Sequence, residues 1–174
     1  MSKSAVKGLV ALSAVGGLLY SSLFTVEPGH AAILFNKFSG VKPEIYQEGI
    51  HFKIPFIERQ ILFNIRPHQE LFTSITGTRD LQNASVSVSV LCRPVVHNLP
   101  TIFMTLGPDF IQRVMPILVK EVLKSEIAKY NSSQLDTQRE QVTIAIRQLL
   151  ITRASEFNII VDDLSITNLV IQSL

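Results

Sequence analysis

Tryptophan is absent from the 174 residues and cysteine occurs once, at Cys92. A lone cysteine excludes an intrachain disulfide and a thiolate metal site. Charge is sparse as well: 17% of residues are charged and the net formal charge is +2. With no basic run and no basic–aromatic interleaving, that balance carries no nucleic-acid footprint, so no nucleic-acid partner is expected. Catalytic motifs are missing too, with no GxSxG, HExxH, Walker loop or GxGxxG. His30, His51, His68 and His97 are scattered without ligand spacing, which makes them structural or solvated histidines. Asp162 and Asp163 are adjacent, and neighbours on a strand point to opposite faces. Cys92 would be a nucleophile only with a histidine and an asparagine folded beside it, and a buried free thiol is the commoner case. No catalytic residue, cofactor or metal is therefore assigned. The weight shifts to a structural or binding role, carried by surfaces rather than by a pocket.

One absence is itself a signal. Gly8 to Val26 contains no charged residue over 19 positions. As a helix this run spans about 28 Å, close to the ~30 Å hydrocarbon core of a bilayer. Lys3 and Lys7 precede it and Glu27 follows. A cleaved signal peptide has a shorter apolar run and a small-x-small site, and none follows this one. A mitochondrial presequence is usually amphipathic and arginine-rich. A short core helix is the third alternative. The favoured expectation is an uncleaved anchor over residues 1–26, with Gly8, Leu9, Val10, Leu12, Val15, Leu18, Leu19, Leu23 and Phe24 facing lipid. The weakly positive tail should stay on the cytosol-like or matrix side, which puts the rest of the chain across the membrane.

Residues 27–174 are one domain's worth. His30 to Lys37 reads as a strand after the Glu27-Pro28-Gly29 turn. Ile50, Phe52, Ile54 and Phe56 alternate with polar residues or proline, which predicts a half-buried strand ending near Pro55. Of the phenylalanines next to the bilayer, Phe35, Phe38, Phe52 and Phe56, at least two are expected in the core. Gln60 to Ile65 and Glu70 to Ile75 are two more short strands. Val86, Val88 and Val90 alternate with Ser85, Ser87 and Ser89, the pattern of an antiparallel sheet with one wet face.

Helical spacing then takes over. Leu99 to Leu106 is a short helix. Ile111, Val114, Leu118 and Val122 recur at threes and fours, with Pro116 predicted to kink or break the pattern. Lys120, Glu121, Lys124, Glu126 and Lys129 read as its solvated side. Ser133 with Asp136 suggests a capping box. The next helix runs to about Glu156 with Leu135, Val142, Ile146 and Leu149 inward. Ile159 to Ile171 is a last strand. Strands, helices and a final strand make an α+β domain: a mostly antiparallel sheet with helices packed on it.

These stretches resemble a known family. FTVEPGHAAILFN (Phe24 to Asn36), EGIHFKIP (Glu48 to Pro55), TGTRDLQN (Thr76 to Asn83), EVLKSEIAKYNSSQLDTQREQV (Glu121 to Val142) and VDDLSITNL (Val161 to Leu169) occur in the order seen in prohibitins. These belong to the stomatin–prohibitin–flotillin, or band 7 (SPFH), group. The anchor and the FTVEPGH start are more similar to the second prohibitin subunit than to the first, whereas TGTRDLQN and the LPTIF segment (Leu99 to Phe103) are more similar to the first. The resemblance implies a mitochondrial inner-membrane protein, single-pass, with its domain facing the intermembrane space. It implies a hetero-oligomeric ring with a sister prohibitin subunit, contact with membrane lipid such as cardiolipin, modulation of an inner-membrane AAA protease, and no enzymatic activity. The family's C-terminal coiled coil is not expected in this chain, because sustained heptads are missing.

The candidate lateral contacts are Lys120, Glu121 and Lys124 on the helix, and Ser85, Ser87 and Ser89 on the serine face. Both are also what plain solvated faces look like. A stomatin-like regulator of one particular membrane protein is the competing function. A membrane-tethered hydrolase is a third reading, which requires a solvent-facing cluster of Cys92 with a histidine.

Overall fold

The computed structural model describes residues 21–172. They fall into two compact units, one ending at Ile65 and the other starting at Arg66.

The first unit is built from five short strands: β1 (Leu23–Val26), β2 (His30–Asn36), β3 (Gly40–Tyr46), β4 (Gly49–Phe52) and β5 (Glu58–Asn64). β1 pairs with β4 as a two-stranded sheet, and β2 lies between β3 and β5 in a three-stranded one. All three pairings are antiparallel. Gly29 and Gly40 sit at positive φ where the chain reverses, a conformation that costs glycine nothing. β2 reads HAAILFN, and its run Ala31 to Leu34 is buried on both faces, as a central strand requires. Phe24, Val26, Ala32 and Leu34 form the core on one side, with Tyr46 packed against them.

The expected anchor is corrected at this point. Leu23 and Phe24 are not lipid-facing helix; they belong to β1, and Phe24 is buried in that core. Phe24 meets Tyr46 edge-on at 5.9 Å, a contact that a membrane helix would forgo. Gly8, Leu9, Val10, Leu12, Val15, Leu18 and Leu19 lie outside the described residues.

The second unit is a three-stranded antiparallel sheet covered by helices. Its strands are β6 (His68–Gly77), β7 (Asn83–Pro94) and β8 (Ile159–Gln172), in the order β6-β7-β8. Between β7 and β8 come a 3-10 turn (Val96–Asn98) and four helices: α1 (Leu99–Leu106), α2 (Phe110–Ile127), α3 (Ser132–Thr137) and α4 (Arg139–Glu156). Ala84, Val86, Val88, Val90 and Cys92 alternate along β7 and all are buried. α2 packs on β6, α4 packs on β8, and the two helices pack on each other. Each large side chain enclosed there, such as Leu123, Ile127, Ile146 or Leu150, contributes about 1.5–3 kcal/mol.

Several local expectations change. α2 runs unbroken through Pro116, because Met115, Leu118 and Val119 on either side of it are buried. Glu126 is buried rather than solvated, and Lys129 bonds it at 2.6 Å. The cap of α3 is Asn131, whose N–H donates to Gln134 Oε1 at 3.0 Å, not the Ser133 and Asp136 pair. On α4 it is Leu150 that is fully buried, while Leu149 is half-buried. Among the described residues no single helix is long and apolar enough to cross a membrane. The stretch Val96–Leu106 with α2 passes that test only as a pair bent by 85°.

Candidate membrane-facing site

The first unit carries an outward-facing apolar run. Ile50, Phe52, Ile54 and Phe56 alternate as the sequence predicts, yet they point outward. They are 69%, 73%, 52% and 80% exposed. The other set points in: the His51 ring lies 5.6 Å from Phe24 and 5.2 Å from Tyr46. Lys53 Nζ sits 5.9 Å over the Phe24 ring. Among the described residues β4 has β1 as its one strand partner. Leu23, directly opposite Phe52 in the ladder, adds to the same exposed face.

A turn extends this face beyond β4. Glu58 holds it from both ends: its N–H donates to Ile54 O at 2.9 Å, and its Oε2 accepts from Ile54 N–H at 2.8 Å. Its other carboxylate oxygen lies 2.6 Å from Lys42 Nζ. The Glu58 side chain is buried, and its carboxyl is held below the ordinary value of 4.5. The Lys42 hydrogen bond is the main cause; burial opposes it, and the Ile54 N–H and Asn36 assist. Within this clamp Phe56 adopts φ 67°. A bulky side chain at positive φ costs on the order of 1 kcal/mol, and such a cost is found where the surroundings over-determine it. Lys37 N–H donates to Ile57 O at 3.1 Å, which brings the β2–β3 turn alongside. Phe38 stands in that turn, 87% exposed. Three of the four phenylalanines expected near the bilayer thus project into solvent and Phe35 is half-buried, which reverses the expected core packing of two. Large exposed apolar patches are uncommon on soluble monomers, and where they occur they mark membrane or partner contacts.

The expected lateral contacts lie in the second unit. Lys120, Glu121 and Lys124 are exposed on α2, with Glu121 3.8 Å from Arg153 of α4. Ser87 shares a 3.0 Å hydrogen bond with Thr73 across the β6–β7 ladder, and Ser85 is half-buried. Ser89 is a correction: it is buried and accepts from Gln69 at 2.5 Å, because an edge strand with long side chains covers it.

The adjacent Asp162 and Asp163 are each paired with an arginine. Arg93 Nε bonds Asp162 at 3.0 Å, and Arg147 meets Asp163 at 3.3 Å. Asp80 accepts from the Ser132 hydroxyl at 2.5 Å and from Thr78, which together hold its carboxyl at about 2. Cys92 faces His68 across the β6–β7 ladder, but it is fully enclosed, so the solvent-facing cluster required of a hydrolase is not formed there. Burial, then the charges of Glu70 and Asp162, push the thiol up to about 12, far from a reactive thiolate. Among the described residues no group of three or more His, Cys, Asp or Glu could hold a metal ion.

Comparison with known proteins gives this surface a context. The model of the SPFH domain / Band 7 family matches residues 24–173, from the first strand to the end of the last. The chain belongs to the SPFH domain / Band 7 family. Within the family it is 49% identical over 162 residues to Prohibitin-2 of Dictyostelium discoideum, covering 93% of this chain and 55% of that protein. It is 46% identical over 169 residues to Prohibitin-7, mitochondrial, of Arabidopsis thaliana, with 95% and 61% covered. Against Prohibitin-2 of Mus musculus it is 46% identical over 167 residues, with 95% and 56% covered. The chain therefore spans a little over half the length of these relatives. This Band 7 domain begins at Phe24, which agrees with β1 being part of the fold rather than of an anchor.

Proposed function

We propose that this chain is a membrane-anchored, non-enzymatic scaffold subunit of prohibitin type. The observation that carries the reading is the inverted strand: β4 and its turn put His51 and Lys53 inward and Ile50, Phe52, Ile54 and Phe56 outward. In a Band 7 protein this face suits the headgroup region of a bilayer, where each phenylalanine that leaves water contributes up to about 1.5–3 kcal/mol. The uncharged residues that precede β1, from Gly8 to Ser22, would hold the domain beside that surface.

Many copies side by side convert weak individual contacts into a fence, because linked binding events reinforce one another. Lys120, Glu121, Lys124, Ser85 and Ser87 are the surfaces we assign to neighbouring subunits, with a sister prohibitin subunit as the neighbour. The word "mitochondrial" in the names of several relatives supports the mitochondrion as the compartment. On this reading the chain sits in the inner membrane as a single-pass protein. Its domain faces the intermembrane space, organises lipid such as cardiolipin, and modulates a AAA protease of that membrane. A stomatin-like regulator would be favoured by a lipidated cysteine near the anchor, and Cys92 is instead enclosed in β7.

The test is the size of the native complex extracted in mild detergent, together with alkaline carbonate washing. A large assembly containing a sister subunit and resistance to carbonate are the expected results. Release by carbonate, or a monomer under all conditions, overturns the proposal.

A further inference from the structure

We infer that the cleft beside the aromatic turn binds the phosphate of an anionic membrane lipid. The inference rests on the membrane reading above and adds a ligand class and a site to it. The cleft has a volume of about 400 Å³ and is lined by Ser22, Lys42, Phe52, Lys53, Ile54 and Glu58, with Pro55 at its rim.

Its charges do not cancel. Glu58 is committed to Lys42 at 2.6 Å and to the Ile54 N–H at 2.8 Å. Lys53 has no such partner. Its ammonium donates to the neutral amide oxygen of Gln60 and lies 5.9 Å over the Phe24 ring. No carboxylate stands within ion-pair distance of it among the described residues. An amide and an aromatic face steady an ammonium without neutralising it. The cleft keeps one net positive charge and spare N–H donors, which is what a phosphate requires.

Its neighbours select the source of the phosphate. Lys53 stands between Phe52 and Ile54, both exposed and both lining the same cleft. A ligand that satisfies all of them carries an anion next to hydrocarbon. A phospholipid does so; a free phosphate or a soluble phosphometabolite leaves Phe52 and Ile54 in water. The exposed Phe52 and Ile54 on either side of Lys53 would meet the acyl boundary while its ammonium stays at headgroup depth.

The absence of tryptophan makes this measurable. The full chain carrying Phe56→Trp, placed in phosphatidylcholine nanodiscs with a minority of phosphatidylglycerol, has one fluorophore beside the cleft. Brominated phosphatidylglycerol should quench it beyond its share of the lipid. Lys53→Gln should lower that preference by about fivefold while Lys53→Arg keeps it. An unchanged preference in Lys53→Gln overturns the inference, and an unchanged thermal melt of that variant shows that a loss does not come from unfolding. If millimolar inorganic phosphate abolishes the preference, the site is a free-anion site and the lipid assignment falls. Quenching by brominated phosphatidylcholine without any phosphatidylglycerol preference sinks the cleft alone. No quenching by either lipid sinks the membrane reading with it.

Discussion

β7 and β4 obey the same period and the opposite phase. In β7 the valines enter the core and the serines take the opposite face, where Ser85 and Ser87 are half-buried and Gln69 reaches Ser89. In β4 the polar set enters and the apolar set faces outward. Both strands alternate, so periodicity identifies both as strands. What differs is the cover: β7 lies beneath helices and between two strands, whereas β4 pairs with β1 alone. A one-residue change of phase exchanges a core for a contact surface. The contrast belongs to the two strands and not to the two units, since Leu71 and Ile75 on β6 are also exposed and Ala31 to Leu34 on β2 are buried.

That contrast can be broken at either end, and the largest effect belongs to the second unit. Leu123→Ala, at a fully buried position, should cost about 2–5 kcal/mol in chemical denaturation, with lipid contact unchanged in molecules that remain folded. Glu58→Gln comes next. It removes charge-assisted bonds to Lys42 and the Ile54 N–H and should cost about 2 kcal/mol, read as faster hydrogen exchange at Ile54.

Acid should imitate that change. The Glu58 carboxyl sits below 4.5, so its contribution is complete above that pH and is lost as pH falls through the depressed value. Lys42 is shifted up from 10.5, so its share is complete below that pH and is lost as pH rises past the raised value.

Phe56→Gly should work in the opposite direction. Relief of the positive φ raises folded stability by about 1 kcal/mol, while loss of the ring weakens retention on lipid vesicles. A variant that loses both stability and lipid contact would show that the ring belongs to the fold. The smallest effect on folding is expected from Lys120→Glu with Lys124→Glu, within about 0.5 kcal/mol by thermal melting. If these residues meet a neighbouring subunit, the native complex should nevertheless shrink on a sizing column.

Much of the fold was legible because its signals were local. The Val86, Val88 and Val90 alternation, the turn at Glu27-Pro28-Gly29 and the helical spacing of Leu118 and Val122 each have one physical reading. β3 was not legible. Its sequence, GVKPEIY, carries a proline and two charges and lacks alternation, and it is held as a strand by β2 alone. The end of the anchor was misplaced because Leu23 and Phe24 are as apolar as the run before them, and only the ladder to β4 marks the change. The phase of β4 was hidden for a deeper reason. Hydropathy assumes that the apolar set is covered, and a surface built to meet something else violates that assumption. Glu126 and Ser89 were read as wet because their burial depends on Lys129 and Gln69 reaching over them.

The Glu58 clamp has a consequence for how the aromatic turn changes surroundings. Water normally services the loose amides of a tip, and a hydrocarbon boundary cannot. Here the Ile54 amide and the Glu58 amide are already served from within the chain, and Lys42 balances the carboxylate that serves one of them. On the proposed membrane reading, the tip would keep these two bonds on leaving the aqueous phase, and docking would then be a rigid touch rather than a rearrangement.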